Sequence, residues 1–181
     1  VAIAGPNGAG KSTFYASQLA QANRIFINAD VLAAELSLGP YQAAELAENL
    51  RRTLLTTRES FVFETVFSDP EGSKLAFLEE AVASGYEVTL CFIGLGSLEH
   101  SQERVAMRVS QGGHDIPDDK LEARFPRTLL NLQMAIHRLP EVRVYDNSDL
   151  RTPYRLVAVF HLGEAIQWNS PVPVWLSNLI S

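Results

Sequence analysis

Several things are scarce or missing from this 181-residue chain, and each absence removes a class of function. There is one cysteine, Cys91, so no internal disulfide can form; that fits a reducing cytoplasm and predicts a buried thiol in its apolar run. One Cys and four scattered His give no zinc-type spacing. Lysine is rare, three against 12 Arg, net charge is −6, and no helix carries a basic stripe, so nucleic acid is a poor main partner. No apolar stretch approaches the length needed to cross a bilayer, and no membrane role is expected. No signal peptide opens the residues given, and no Met stands first, so a few leading residues are expected to be trimmed. Linkers, repeats and low-complexity segments are absent too, which predicts one domain over residues 1–181.

What is present begins at once. The apolar run VAIA leads into GPNGAGKST, residues 5–13, which fits G-x-x-x-x-G-K-[ST]. A strand before the loop and a helix from KSTFYASQLAQ after it give the setting the motif needs. Glycines at 5, 8 and 10 open backbone angles that let successive N–H groups converge on one anion. Gly5, Pro6, Asn7, Gly8, Ala9, Gly10, Lys11, Ser12 and Thr13 are therefore the predicted nucleotide cradle. In it Lys11 is expected to reach the β- and γ-phosphates and the Ser12 hydroxyl to ligate Mg²⁺.

Strands and helices alternate along the rest. Strands are predicted at 24–28, 61–64, 86–95 and 142–147, with a late strand and hairpin over 155–169. Helices are predicted at 40–60, with Leu46, Leu50 and Leu54 on one face, and at 70–84, 97–111 and 118–139, the last bent near Pro126. This pattern implies an α/β fold: a three-layer, mostly parallel sheet with helices on both faces and a small helical lid. In such sheets ligands gather beyond the carboxyl ends of the strands. There the second strand ends in Asn28-Ala29-Asp30 and the third in Glu64-Thr65. Two carboxylates beside a phosphate cradle suit transfer to a hydroxyl, one accepting the proton and one orienting the acceptor. The plainer alternatives are that Asp30 caps the next helix and that Glu64 pairs with a surface arginine.

Arginines cluster around the glycine-rich break SQGGHDIPDD: Arg104 and Arg108 before it, Arg124 and Arg127 after it. Each pair shares a helix face, so residues 104–127 read as a lid that closes over the triphosphate; the alternative is solvated faces paired with Glu103 and Glu122. Other nucleotide-binding trades fit less well. No hhhhDE strand follows SQGGH, as a transport-type ATPase requires, although Asp146 in VRVYDN is a candidate Mg²⁺ or adenine-loop residue. DPEG at 69–72 fits a GTPase D-x-x-G, yet no N-K-x-D guanine reader exists.

GPNGAGKST, INAD, FVFETVFS, GYEVTLCFIGL, RVAMRVSQGGHDIP, RFPRTLLNL and VYDNS, in that order, resemble the stand-alone branch of the zeta toxin family, across roughly residues 1–150. The resemblance implies a P-loop kinase fold and transfer of the ATP γ-phosphate to a nucleotide sugar such as UDP-N-acetylglucosamine. It implies Lys11 as the loop lysine, Ser12 as the Mg²⁺ hydroxyl, Asp30 as the catalytic aspartate, and Glu64 with Thr65 at the substrate. The lid arginines it implies are Arg108 with Arg124 or Arg127. A toxin role with a small antitoxin partner also follows from the resemblance alone. This chain departs from the better-known toxins in ADVLAAELSLGP, which lacks their Arg and His-Pro, and in a less basic lid. An ATP-binding regulatory or partner-binding module with little phosphotransfer is the alternative. The tail 155–181 lies outside the resemblance; Pro171, Pro173 and Trp175 read as a docking segment, for a partner or for the domain's own surface.

Overall fold

The computed structural model describes residues 1–113 and 115–180; His114, in the predicted lid break, lies outside them. Seven strands form one sheet in the order β2-β3-β1-β4-β5-β6-β7. These are β1 (Ala2–Ala4), β2 (Ile25–Ile27), β3 (Phe61–Thr65), β4 (Thr89–Gly94), β5 (Glu141–Asp146), β6 (Arg155–His161) and β7 (Glu164–Trp168). The first five run parallel and the last two add an antiparallel hairpin. The sheet is mostly parallel, as the alternation predicts.

Burial on both faces explains why these strands are near-continuous apolar runs. Successive side chains point to opposite faces, so each strand divides its residues between two layers. Phe61, Phe63, Leu90 and Phe92 face one packed layer, while Ile3, Val62, Cys91 and Ile93 face the other. β1 sits between β3 and β4, with Ala2 level with Phe63 and Leu90, and its three residues are fully buried. The loop it feeds is thereby anchored in the middle of the sheet. Burial raises the Cys91 thiol to about 11, so it is an inert core group.

Helices α3 (Pro40–Thr57), α4 (Ser73–Ala83), α5 (Leu98–Ser110) and α6 (Asp118–Arg138) fall where periodicity places them. α6 passes through Pro126 as one element, and the Ser97 hydroxyl caps α5 by accepting from His100 N–H. Asp69 of the DPEG stretch is occupied locally: its Oδ2 accepts from the Ser73 hydroxyl and Lys74 N–H at the start of α4. Three details differ from expectation. The helix after the loop is α-helical only over α1 (Lys11–Phe14), then widens into a π turn at Tyr15–Leu19 and tightens into a 3-10 turn at Ala20–Ala22. A separate short helix, α2 (Ala29–Leu36), follows β2. The buried stripe of α3 is Ala43, Ala47, Arg51 and Leu55, one position off the predicted leucine face. Arg51 is tolerated there because its guanidinium lies over Phe63 and Phe77, with Glu48 at 3.1 Å.

The tail folds back as α7 (Val174–Ile180). Trp175 seats its ring on Gly94, where any Cβ would collide with it, and its indole N–H donates to Asp146 Oδ1 at 3.2 Å. The docking segment therefore covers the domain's own surface. Asp146 is committed to this anchor, to the Ser148 hydroxyl at 2.6 Å and to Arg155 at 3.5 Å, which argues against its reading as a Mg²⁺ or adenine-loop residue.

Candidate active site

The loop between β1 and α1 wraps around its own lysine. Lys11 Nζ donates to the carbonyls of Gly5 at 3.1 Å and Pro6 at 3.0 Å. The side chain is only 6% exposed, so the loop on its own does not present it to solvent. Burial is the main influence on it and pushes its pKa below 10.5; Glu64 and Asp30 push the other way, and Arg108 adds to the lowering. Those influences show that Lys11, Glu64, Asp30 and Arg108 share one electrostatic neighbourhood.

Glu64, at the end of β3, accepts a 2.7 Å hydrogen bond from the Ser12 hydroxyl and lies 4.0 Å from Lys11 Nζ. The ion pair found for it among the described residues involves Lys11 and not a surface arginine. Asn28 completes the corner. Its Nδ2 donates to Glu64 at 2.8 Å, and its Oδ1 accepts from the N–H of Asp30 at 2.8 Å and of Val31 at 3.4 Å. Asn28 is therefore the cap of α2, and Asp30 stands exposed in the first turn, free of the capping duty once open to it. Asn28 has no part in the phosphate-loop motif; the signal for its role is an amide directly after an apolar strand and two residues before an acid, the pattern of a helix cap. Thr65 Oγ1 accepts from Phe67 N–H, which fixes the turn leaving β3.

The arginines divide. Arg104 turns to the loop after β5, donating to the carbonyls of Asn147 at 2.8 Å and Ser148 at 3.4 Å, so it braces α5 rather than reaching for a phosphate. Arg108 is half-buried near Lys11. Arg124 and Arg127 are half-buried on α6, on either side of Phe125, which packs against the cluster of Ala9, Phe14 and Ile93 beneath the loop. Arg127 Nε is buried without a hydrogen-bond partner. Glu103 and Glu122 form no ion pair among the described residues, so the plainer account of these arginines finds no support there.

ATP and Mg²⁺ can be tested against this donor set. Among the described residues, the N–H groups of Gly8, Gly10, Lys11 and Ser12 donate to no protein acceptor, and they belong to the same loop as a buried ammonium. That is the chemistry of a polyphosphate cradle. A hydroxyl already 2.7 Å from a carboxylate suits a hard, oxygen-seeking cation. Among the described residues no cluster of three or more His, Cys, Asp or Glu side chains is arranged for a metal, so a cation here would draw on the nucleotide's own oxygens. The residues fit both groups.

A phosphate loop after an inner strand of a mostly parallel sheet, with the strand-end Glu64 beside it and Asp30 in the helix turn after the neighbouring edge strand, defines a P-loop kinase-like α/β protein, the architecture of phosphotransferases. The zeta toxin family model matches residues 38–155, well over half of the chain, and the chain belongs to that family. The match contains Glu64, Thr65 and the lid arginines and begins after Asp30 and the loop. An uncharacterised protein of Haemophilus influenzae is 29% identical over 126 residues, covering 67% of this chain and 88% of that protein. Among solved structures, the AvrRxo1-ORF1:AvrRxo1-ORF2 complex with sulphate ions aligns over 99% of this chain with a TM-score of 0.75 and 17% identity. The present chain spans only 62% of that protein's length. The PezAT chromosomal toxin–antitoxin system of Streptococcus pneumoniae aligns over 99% of this chain and 84% of that one, with a TM-score of 0.63 and 16% identity. At these identities the structural likeness speaks to the fold. Among the described residues no helix is long and apolar enough to cross a membrane.

Proposed function

We propose that residues 1–181 act as one domain, an ATP-dependent small-molecule kinase that moves the γ-phosphate to a hydroxyl of a nucleotide sugar resembling UDP-N-acetylglucosamine. The observation that carries the reading is the gathering of Lys11, Ser12 and Glu64 at one phosphate loop, with Asn28 linking Glu64 to the helix turn that bears Asp30. Residues Gly5 to Thr13 hold the polyphosphate, with Lys11 across the β- and γ-phosphates. Asp30, exposed in the first turn of α2, takes the proton from the acceptor hydroxyl. The acceptor oxygen then bonds the γ-phosphorus as the bond to the β-phosphate oxygen breaks, and ADP leaves. Arg108, with Arg124 or Arg127, neutralises charge on the transferring group and helps exclude water. Glu64 and Thr65 orient the acceptor; the contact of Glu64 with Ser12 ties it to the metal side as well. Ser12 would help hold Mg²⁺, which would supply neutralisation of the polyphosphate's charge.

Family membership supports a toxin role in the cytoplasm, and the toxin–antitoxin description of PezAT supports a small antitoxin as partner. The test is incubation of the protein with γ-labelled ATP, Mg²⁺ and a panel of nucleotide sugars, read by mass spectrometry. The expected product is a nucleotide sugar heavier by one phosphate, with ADP in equal amount. ATP binding with no phosphorylated product from any panel member would instead favour an ATP-binding regulatory module.

A further inference from the structure

A nest of inward N–H groups has a necessary counterpart: the carbonyls of the same peptides must turn outward, into the protein, where each needs a donor. In this loop the donors can be named. The Gly5 and Pro6 carbonyls accept from Lys11, which is internal to the motif. The others are served from far along the chain. Ser101 Oγ, on α5, donates to the Asn7 carbonyl at 2.7 Å. Asn147 Nδ2, after β5, donates to the Ala9 carbonyl at 2.9 Å. The Tyr154 hydroxyl, just before β6, donates to the Gly10 carbonyl at 2.9 Å.

These donors are themselves held. Ser101 and Asn147 are 1% and 2% exposed. Asn147 Oδ1 accepts from Tyr154 N–H at 3.2 Å, its own carbonyl accepts from Arg104, and the Tyr154 ring packs edge-on against Phe14 at 5.3 Å. The fit is close enough to exclude a side chain from the loop: a Cβ on Gly10, at φ 84°, would stand 2.7 Å from the Tyr154 hydroxyl and 3.0 Å from Asn147 Nδ2.

We propose that Ser101, Asn147 and Tyr154 are positioning residues for phosphate binding, a three-point clamp on the outward carbonyls that keeps the N–H groups of the loop aimed inward before the nucleotide arrives. The proposal rests on the phosphate-binding reading of the loop and deepens it. Because the clamp acts on the cradle and not on the base or sugar, its loss lowers affinity for any polyphosphate by a similar factor.

Affinities of the wild type, Tyr154→Phe, Ser101→Ala, Ser101→Thr and Asn147→Asp for ATP and for inorganic tripolyphosphate, each with Mg²⁺, test this by calorimetry alongside melting temperature. Tyr154→Phe keeps the ring on Phe14 and leaves the Gly10 carbonyl its bond from Phe14 N–H, so stability holds while affinity falls about threefold to fivefold. Ser101→Ala lowers affinity about tenfold and Ser101→Thr, which keeps the hydroxyl, restores it. Asn147→Asp, which turns an acceptor toward the Ala9 carbonyl, loses at least about tenfold. The result that overturns the clamp is a wild type that binds both probes with all variants within about twofold of it. Losses that only track melting temperature, with Ser101→Thr no better than Ser101→Ala, overturn it as well. A wild type that binds neither probe overturns the phosphate-binding reading itself, a distinguishable failure.

Discussion

Two regions flank the candidate phosphate position, and they are built on opposite principles. Beneath it, the loop is largely buried and its carbonyls are braced: those of Gly5, Pro6, Asn7, Ala9 and Gly10 each accept a hydrogen bond, and Lys11 is locked to two of them. Above it, the turn between α5 and α6 is exposed from Gln111 to Gly113 and again at Asp115, and the arginines beside it are only half-buried. The lower wall is set before any ligand arrives, so it contributes to ground state and transition state alike. If the upper wall closes over the nucleotide as proposed, it contributes when charge is moving, and such a contribution appears in turnover. Substitutions on the two walls should therefore separate affinity from rate.

The largest effect is expected at Lys11. Lys11→Ala should reduce kcat/KM at least about a thousandfold and weaken ATP binding together with it. The Gly5 carbonyl loses its donor while the Pro6 carbonyl keeps Ala9 N–H, and a buried charge is also removed, so the melting temperature should move little. Wild-type ATP affinity in this variant would end the phosphate-loop reading. Next comes Asp30→Asn, expected to lose about a hundredfold or more in transfer, roughly 3 kcal/mol of barrier, with ATP affinity and melting temperature unchanged. Since Asn28 and not Asp30 caps α2, a loss of stability without loss of specific activity would contradict both the geometry and the assigned role.

Arg108→Ala sharpens the contrast between the walls. Turnover should fall about tenfold while ATP affinity changes less than about threefold. If affinity falls as it does for Lys11→Ala, the lid arginine belongs to the preset wall and the contrast fails. The smallest effect is in pH. Folding holds the Lys11 pKa below 10.5, chiefly through burial, so the folded protein loses that proton before an unfolded chain does. Between the lowered value and 10.5 the unfolded state binds more protons, and stability contributed by this residue rises with pH. ATP affinity should move the other way, weakening a few-fold as the ammonium is lost. Titrations of both quantities in the wild type and in Lys11→Ala, where each trend should vanish, check the sign.

Some of this was legible in the sequence for physical reasons. Strands buried on both faces must be apolar throughout, and GPNGAGKST is a short-range motif whose parts act on one another within nine residues, so both could be read along the chain. What escaped depends on distance. Ser101, Asn147 and Tyr154 stand 94, 138 and 144 positions from the carbonyls they serve, and nothing local in a serine, an asparagine or a tyrosine announces such a partner. α2 was missed because an eight-residue helix with no fully buried residue has little periodicity to show. Arg51 defeated the pattern outright, since a cation on a core stripe is readable only once Phe63 and Phe77 are known to lie beneath it.

The tail gives the molecule a spectroscopy of its own. The chain has two tryptophans, and they occupy contrasting environments. Trp168, on the edge strand β7, is 43% exposed, while Trp175 is 8% exposed, stacked over Gly94 and near Phe92 with its N–H on the Asp146 carboxylate. A collisional quencher such as acrylamide should dim the first and spare the second. Emission from Trp175 then reports on the carboxyl ends of β4 and β5, the strands that lead into the segments bearing Ser101 and Asn147. A red shift of that band on release of α7 would signal, without any label, that the frame around the phosphate loop has opened.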